Sequence, residues 1–161
     1  MTIAMTRTTA DAEIRACLEA WTDATRAKDV DRIIAAHAPD TRSFDCHSHF
    51  QLEGAAALRR HLDACTACMQ GPMTFEIHGL DIAAQGDLAF AHFLARFGAT
   101  GLSGRRHDGW LRVTVCLRRI EGRWLIVHDH CSAPFDPETG KAFFDFEPSG
   151  ETLPAMKARV R

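Results

Sequence analysis

Apolar residues early in the chain recur at the spacing of a helix. Ile14, Cys17, Leu18 and Trp21 stand at i, i+3, i+4 and i+7, the stripe of an amphipathic helix over Ala10–Lys28. Asp29 is placed to cap a second, shorter helix, VDRIIAAHA, which Pro39 ends. Thr41–Cys46 reads as a short strand. After Gly54 the helical spacing returns, with Leu58, His61, Leu62, Cys65 and Met69 along one side, until Gly71-Pro72 stops it. From there the period changes to two. MTFEIHGLDIAA and LAFAHFLARFGATG are separated by Gln85-Gly86-Asp87, a hairpin signal. Helices gathered early and an antiparallel meander late predict an α+β fold with the helices on one face of a curved sheet.

The last two strand-like runs, within Trp110–Phe135, are joined by Glu121-Gly122. A two-residue loop there sets Cys116 opposite Val127, Thr114 opposite Asp129 and Arg112 opposite Cys131. One face then carries Trp110, Arg112, Thr114, Cys116, Val127, Asp129 and Cys131; the other carries Val113, Val115, Leu117, Trp124, Ile126, His128 and His130. The first is the expected lining of a polar cavity. The second, too apolar to stand in water, is the expected interface of a homodimer. A slip of one residue exchanges the two faces.

At 161 residues the chain is long enough for one domain with a substantial core. The net charge of −2 and the scattered arginines exclude a phosphate-binding stripe, so no nucleic-acid partner is expected. No apolar run is long enough to span a bilayer, and the N-terminus lacks a signal core. Six cysteines without an export signal read as free thiols, which places the chain in the cytoplasm. The expected organisation is a flexible 1–9, a domain over 10–135, and a tail over 136–161. Phe143–Phe146 of that tail packs on the domain, and its last ten residues are mobile.

The element order, FDC after the second helix and GRWLIVHDHCSAP in the last strand together resemble the nuclear-transport-factor-2-like superfamily over about Ala10–Phe135. That superfamily includes ketosteroid isomerases, SnoaL-type polyketide cyclases and the association domain of calcium/calmodulin-dependent kinase. The resemblance implies a cone-shaped barrel: a strongly bent sheet around a long N-terminal helix, open to a cavity at one end and dimeric through the outer sheet face. It places Trp21 at the oxyanion-hole tyrosine of a ketosteroid isomerase and Asp45 at its general base. Cys116 falls near the second oxyanion donor, an acid in that family, and the chain has no Tyr at all. Asp129 lies in a segment compatible with the acid/base aspartate of SnoaL-type cyclases, and Cys131 stands where the kinase association domain has an arginine. The scaffold carries many activities, so fold alone does not name one.

These residues make Asp45, Asp129 and His92 the candidate catalytic groups, with Asp45 as base and Asp129 or His92 as acid. Burial among apolar groups is expected to raise Asp45, while an ion pair with Arg112 keeps Asp129 ionised. Trp21, Trp110, Arg112, Thr114 and Cys131 are the candidate ligand lining. His47, His49, His128 and His130 offer two H-x-H pairs, but the strand pattern assigns them to packing, and Cys65-x-x-Cys68 lies inside a helix as core thiols. No metal and no cofactor are therefore expected. The expected function is a pocket for a small hydrophobic molecule with cofactor-free acid/base chemistry on a carbonyl compound: isomerisation, cyclisation, dehydration or hydrolysis. The alternative is a non-catalytic binding or oligomerisation module like the kinase association domain.

Overall fold

The first apolar stripe becomes α1, Thr9–Arg26, in the computed structural model, which describes residues 9–47 and 49–144. Ile14 and Leu18 on that stripe are fully buried. Asp29 accepts the Arg32 N–H at 3.1 Å and caps α2, Val30–Ala35. This helix is shorter than its pattern suggested, because His37 and Ala38 already belong to β1, His37–Phe44. Pro39 lies inside that strand, where it cannot donate to a ladder, and the strand's pairing is irregular between His37 and Arg42. β2 (Leu52–Glu53) and α3 (Ala55–Ala67) follow, then β3 (Met69–Gln85), β4 (Leu88–Gly101), β5 (Arg106–Ile120) and β6 (Arg123–Ser132). Met69, expected in the third helix, opens β3 instead.

The six strands form one sheet in the order β2-β1-β6-β5-β4-β3. β1 runs parallel to β6, and every other neighbour is antiparallel. α1 packs on β3 and β6 while α3 packs on β1, β2 and β3. The core beneath α1 takes alternate residues from three strands: Ala89, Ala91, Phe93 and Ala95; Leu111, Val113, Val115 and Leu117; Trp124 and Ile126. The alanines of β4 leave room for the Trp21 ring, 6.4 Å from Phe93. None of the helices is long and apolar enough to cross a membrane, among the described residues.

The last hairpin corrects the expected faces twice. Its turn is Glu121-Gly122, both with positive φ (49° and 78°), as a two-residue type I′ turn requires. The expected register holds from Ile120–Arg123 to Leu117–Ile126, but Cys116 then pairs with His128, leaving Val127 as the extra residue of a bulge. On β5 the faces are exchanged: the aliphatic set is buried in the core, and Trp110, Arg112 and Thr114 point to the outer surface of the sheet. An all-aliphatic Leu-Val-Val-Leu row gains far more from burial than a Trp-Arg-Thr row, so α1 covers the former. On β6 the bulge changes the parity, so Asp129 and Cys131 follow Trp124 and Ile126 to the inner side. The expected dimer face is thus largely core: Val113, Val115, Leu117, Trp124 and Ile126 all lie under α1.

Beyond β6 the chain doubles back. Phe135 bridges Ala142, the Phe143 N–H donates to the Pro134 carbonyl at 2.8 Å, and the Trp110 N–H donates to the Phe144 carbonyl at 2.8 Å. The Phe144 ring stands edge-on to Phe97 at 6.0 Å. Gly109 makes this docking possible, since a Cβ there would sit 2.4 Å from the Phe144 carbonyl oxygen. Phe146 and the chain end fall outside the described residues.

Candidate functional site

Between α1, α3 and the inner sheet face lies a cavity of about 340 Å³, within the range of small-ligand pockets. Its wall is largely apolar, with Trp21, Leu58, Leu62, Met73, Phe75 and Leu111 among the lining residues. Set into this wall are Asp45, His61, His37, Asp129, Cys46 and Cys131, with His47 at the same end. The parallel pairing of β1 and β6 is what gathers them, since it sets Ser43 beside Asp129 and Phe44 beside His130. His37 enters from the start of β1 and His61 from the inward side of α3.

Asp129 has 18% of its side chain exposed and accepts a short hydrogen bond from the Ser43 hydroxyl. His37 donates its Nδ1–H to the Ile33 carbonyl at 2.8 Å, which turns Nε2 toward Asp129 Oδ1 at 3.8 Å. Burial pushes the Asp129 carboxyl up, against the opposing pull of His37 and Ser43. Burial likewise pushes His37 down, against the Asp129 charge. Both groups are driven toward their neutral forms.

Asp45 follows β1 directly. Burial would raise it too, but the side chain and backbone N–H of His47 bond to its Oδ1 at 3.0 and 2.7 Å. His61 Nε2 lies 3.2 Å from the other oxygen. Together they hold the Asp45 carboxyl below its ordinary value, and the same contact raises His47. This reverses the sequence expectation, in which Asp45 is raised and Asp129 is kept ionised by Arg112. Arg112 is on the far side of the sheet, and the partner of Asp129 is a buried histidine.

Of the other residues singled out in the sequence, Trp21 and Cys131 line the cavity with the two aspartates. The Trp21 ring also stands edge-on to Phe75 at 5.5 Å, and its buried indole N–H has no hydrogen-bond partner among the described residues. His92, Trp110, Arg112 and Thr114 do not reach the cavity. They share a shallow recess on the outer face, where His92 Nε2 lies 3.4 Å from Asp81 and stacks on Phe90. His128 and His130 flank the Phe44 ring, and His128 donates to the Arg42 carbonyl at 2.7 Å. The two H-x-H pairs therefore do not converge. Cys65 lines the cavity and Cys68 is exposed, so neither is a fully buried core thiol.

His37, Ser43, Cys46 and His61 also line or adjoin the site, and the sequence patterns do not single them out as site residues. His61 carried a usable signal, being a titratable residue inside the apolar stripe Leu58-His61-Leu62-Cys65. His37 had none, because its segment reads as helix.

Comparison with known proteins agrees with this architecture. The family model of the SnoaL-like domain matches residues 14–136. A crystal structure of an NTF2-like protein of unknown function from Pseudomonas putida KT2440 is 42% identical, over 89% of this chain and all of the other, with a TM-score of 0.80. A ketosteroid isomerase-like protein from Erwinia carotovora atroseptica is 20% identical over 75% of this chain and 93% of its own, with a TM-score of 0.67. An uncharacterised protein with a cystatin-like fold from Caulobacter vibrioides is 17% identical over 79% and 90%, with a TM-score of 0.66. No curated protein matches. The matched span covers all but the start of α1, the other two helices and the whole sheet, together with every cavity residue named above, and the chain belongs to the SnoaL-like domain family on the NTF2-like fold.

Proposed function

We propose that the cavity binds a small hydrophobic carbonyl compound and moves protons on it without a cofactor, in an isomerisation, cyclisation, dehydration or hydrolysis. The observation that carries this is a pair of carboxyls in one apolar wall whose surroundings drive them apart. Asp129 is pushed toward its protonated form by burial, and Asp45 is held ionised by His47 and His61. Such a split is how a site keeps an acid and a base at one pH. Asp129 donates to the carbonyl oxygen and stabilises charge there as the adjacent C–H bond weakens. Asp45 takes the carbon proton. His37, with its Nε2 lone pair toward Asp129, can receive or return the proton that Asp129 carries.

The test is hydrogen exchange in deuterated water. Hydrophobic aryl and alicyclic ketones are incubated with the protein, and loss of the α-proton signal is followed by NMR. Exchange is expected for at least one ketone, lost in Asp45→Asn with affinity kept within about tenfold, roughly 1.4 kcal/mol. Asp129→Asn should weaken both binding and exchange. Exchange that is indifferent to both substitutions, or absent across the panel, contradicts the proposal.

The same proposal includes a homodimer through the outer sheet face, now assigned to other residues than the sequence suggested. That face presents Phe90 and Leu88, 49% and 62% exposed, beside His92, Trp110 and Thr114. Exposed aromatic and aliphatic residues on one flat surface support an interface between copies.

A further inference from the structure

We propose that Cys46, Cys131, Asp45 and His47 form a binding site for a zinc-type divalent cation at the rim of the cavity. The two Sγ atoms and an Asp45 carboxylate oxygen all lie within 4.8 Å of one another. His47 Nδ1 stands 3.0 Å from Asp45 Oδ1 and 3.6 Å from Cys46 Sγ. Bonds of about 2.3 Å to sulfur and about 2.0–2.1 Å to nitrogen or oxygen, at tetrahedral angles, separate sulfur from nitrogen by about 3.5 Å and nitrogen from oxygen by about 3.3 Å. The two contacts of His47 already have these spacings. The pairs among the two sulfurs and the Asp45 oxygen need to close by no more than about 1.3 Å, and the His47 ring must swing toward Cys131 to complete the set.

Three further features fit a cation. Asp45 Oδ2, the oxygen not facing His47, is fixed by His61 Nε2 at 3.2 Å, and Cys65 Sγ lies 3.5 Å from that same nitrogen. Outer contacts of this kind hold a ligating carboxylate in place. Two thiols, one imidazole and one carboxylate suit a borderline-soft cation and not magnesium or calcium, which take oxygen ligands. The two thiols also share a hydrogen bond, which lowers Cys46 and, with burial, raises Cys131, so the pair gives up its first proton at Cys46 and the second only to the cation. Both cysteines are free thiols.

This set differs from the histidine pairs weighed in the sequence and revises the expectation of no metal. Asp45, Cys46 and His47 are consecutive, but Cys131 comes from β6, and it faces them because the Val127 bulge turns it inward. The site stands independently of the proton chemistry proposed above and limits it. An ion held by Asp45 removes that carboxylate as a free base, so metal loading and turnover by Asp45 exclude one another. Loading releases the thiol protons and therefore tightens as pH rises.

The experiment titrates the reduced, tag-free protein with Zn²⁺ under argon against a competing chelator, and separately with Co²⁺. One Zn²⁺ per chain is expected, with a rise in melting temperature. Co²⁺ is expected to give a near-ultraviolet thiolate charge-transfer band. Cys46→Ser and Cys131→Ser should each weaken Zn²⁺ by more than the roughly 10–100-fold that loss of an outer contact costs. Each should retain the wild-type circular dichroism and the wild-type melting temperature in metal-free buffer. Should a serine variant not fold, the wild type decides alone: Zn²⁺ must protect Cys46 and Cys131, and not Cys17, from alkylation read by peptide mass spectrometry. Absence of stoichiometric binding, binding that persists without both cysteines, or no selective protection overturns the proposal.

Discussion

Asp129 has lost most of its water, and the Ser43 hydroxyl and His37 ring that face it do not compensate, so its carboxyl keeps its proton to higher pH than an ordinary aspartate. A group whose pKa rises on folding adds stability that is complete below its unfolded value, about 3.9 for Asp, and is lost as pH climbs through the raised value. Asp45 has the opposite sign. Its stabilisation is present above about 3.9 and is lost as pH falls through its depressed value. Urea denaturation at a series of pH values separates the two. The stability of wild type relative to Asp129→Asn should decline with rising pH from about 4, with a slope of at most about 1.4 kcal/mol per pH unit. Relative to Asp45→Asn, wild type should instead lose stability on the acid side of about 4. Parallel curves for wild type and Asp129→Asn would show that burial does not perturb this carboxyl.

At the scale of elements, one extra residue decides what the last strand presents. Without the Val127 bulge, Trp124 and Ile126 would still face α1, but Asp129 and Cys131 would turn outward and His128 and His130 inward. Deleting Val127 removes the extra residue itself and lets His128 follow Ile126 in a regular ladder, with Asp129 and Cys131 still inward. The variant is expected to fold and to keep the wild-type affinity for an apolar fluorescent probe, whereas loss of that affinity would show that the bulge shapes the cavity directly. Gly109→Ala should cost about 1–3 kcal/mol by pushing the 136–144 segment off β5, seen as faster amide exchange at Trp110. The helices, the long strands and the Glu121-Gly122 turn were legible in the sequence because each has a clean period or a turn signal. The bulge was not, since nothing in LIVHDHC marks the residue that drops out of register. Which β5 face is inward was legible in principle, because Leu111, Val113, Val115 and Leu117 are all aliphatic. The polar face suggests a cavity lining, but the cavity lies on the opposite, aliphatic face of the same strand, lined by Leu111 and Val113. Pairing of His37 with Asp129 depends on a parallel β1–β6 contact between distant segments, which no local pattern encodes.

For the whole molecule, the corrected faces change what two kinds of substitution should do. Val115 and Ile126 are fully buried, so Val115→Glu is expected to unfold the chain, with the loss of several kcal/mol that an unpaired buried charge brings. Phe90→Glu, on the outer face, should leave melting temperature nearly unchanged while converting the proposed dimer to monomer in light scattering. A folded wild-type monomer at micromolar concentration contradicts the dimer. The cavity itself is built at the one end of the sheet where α1, α3 and the β1–β6 pair meet, so its two carboxyls come from segments distant in the chain. The central claim is that this wall holds a neutral Asp129 opposite an ionised Asp45, and the most direct measurement is the carboxyl ¹³C titration of both side chains by NMR. Asp129 is expected to titrate above the ordinary aspartate range and Asp45 below it, with the Asp129 step moved in His37→Gln; Asp129 titrating at or below the ordinary range, or Asp45 above it, would contradict this arrangement.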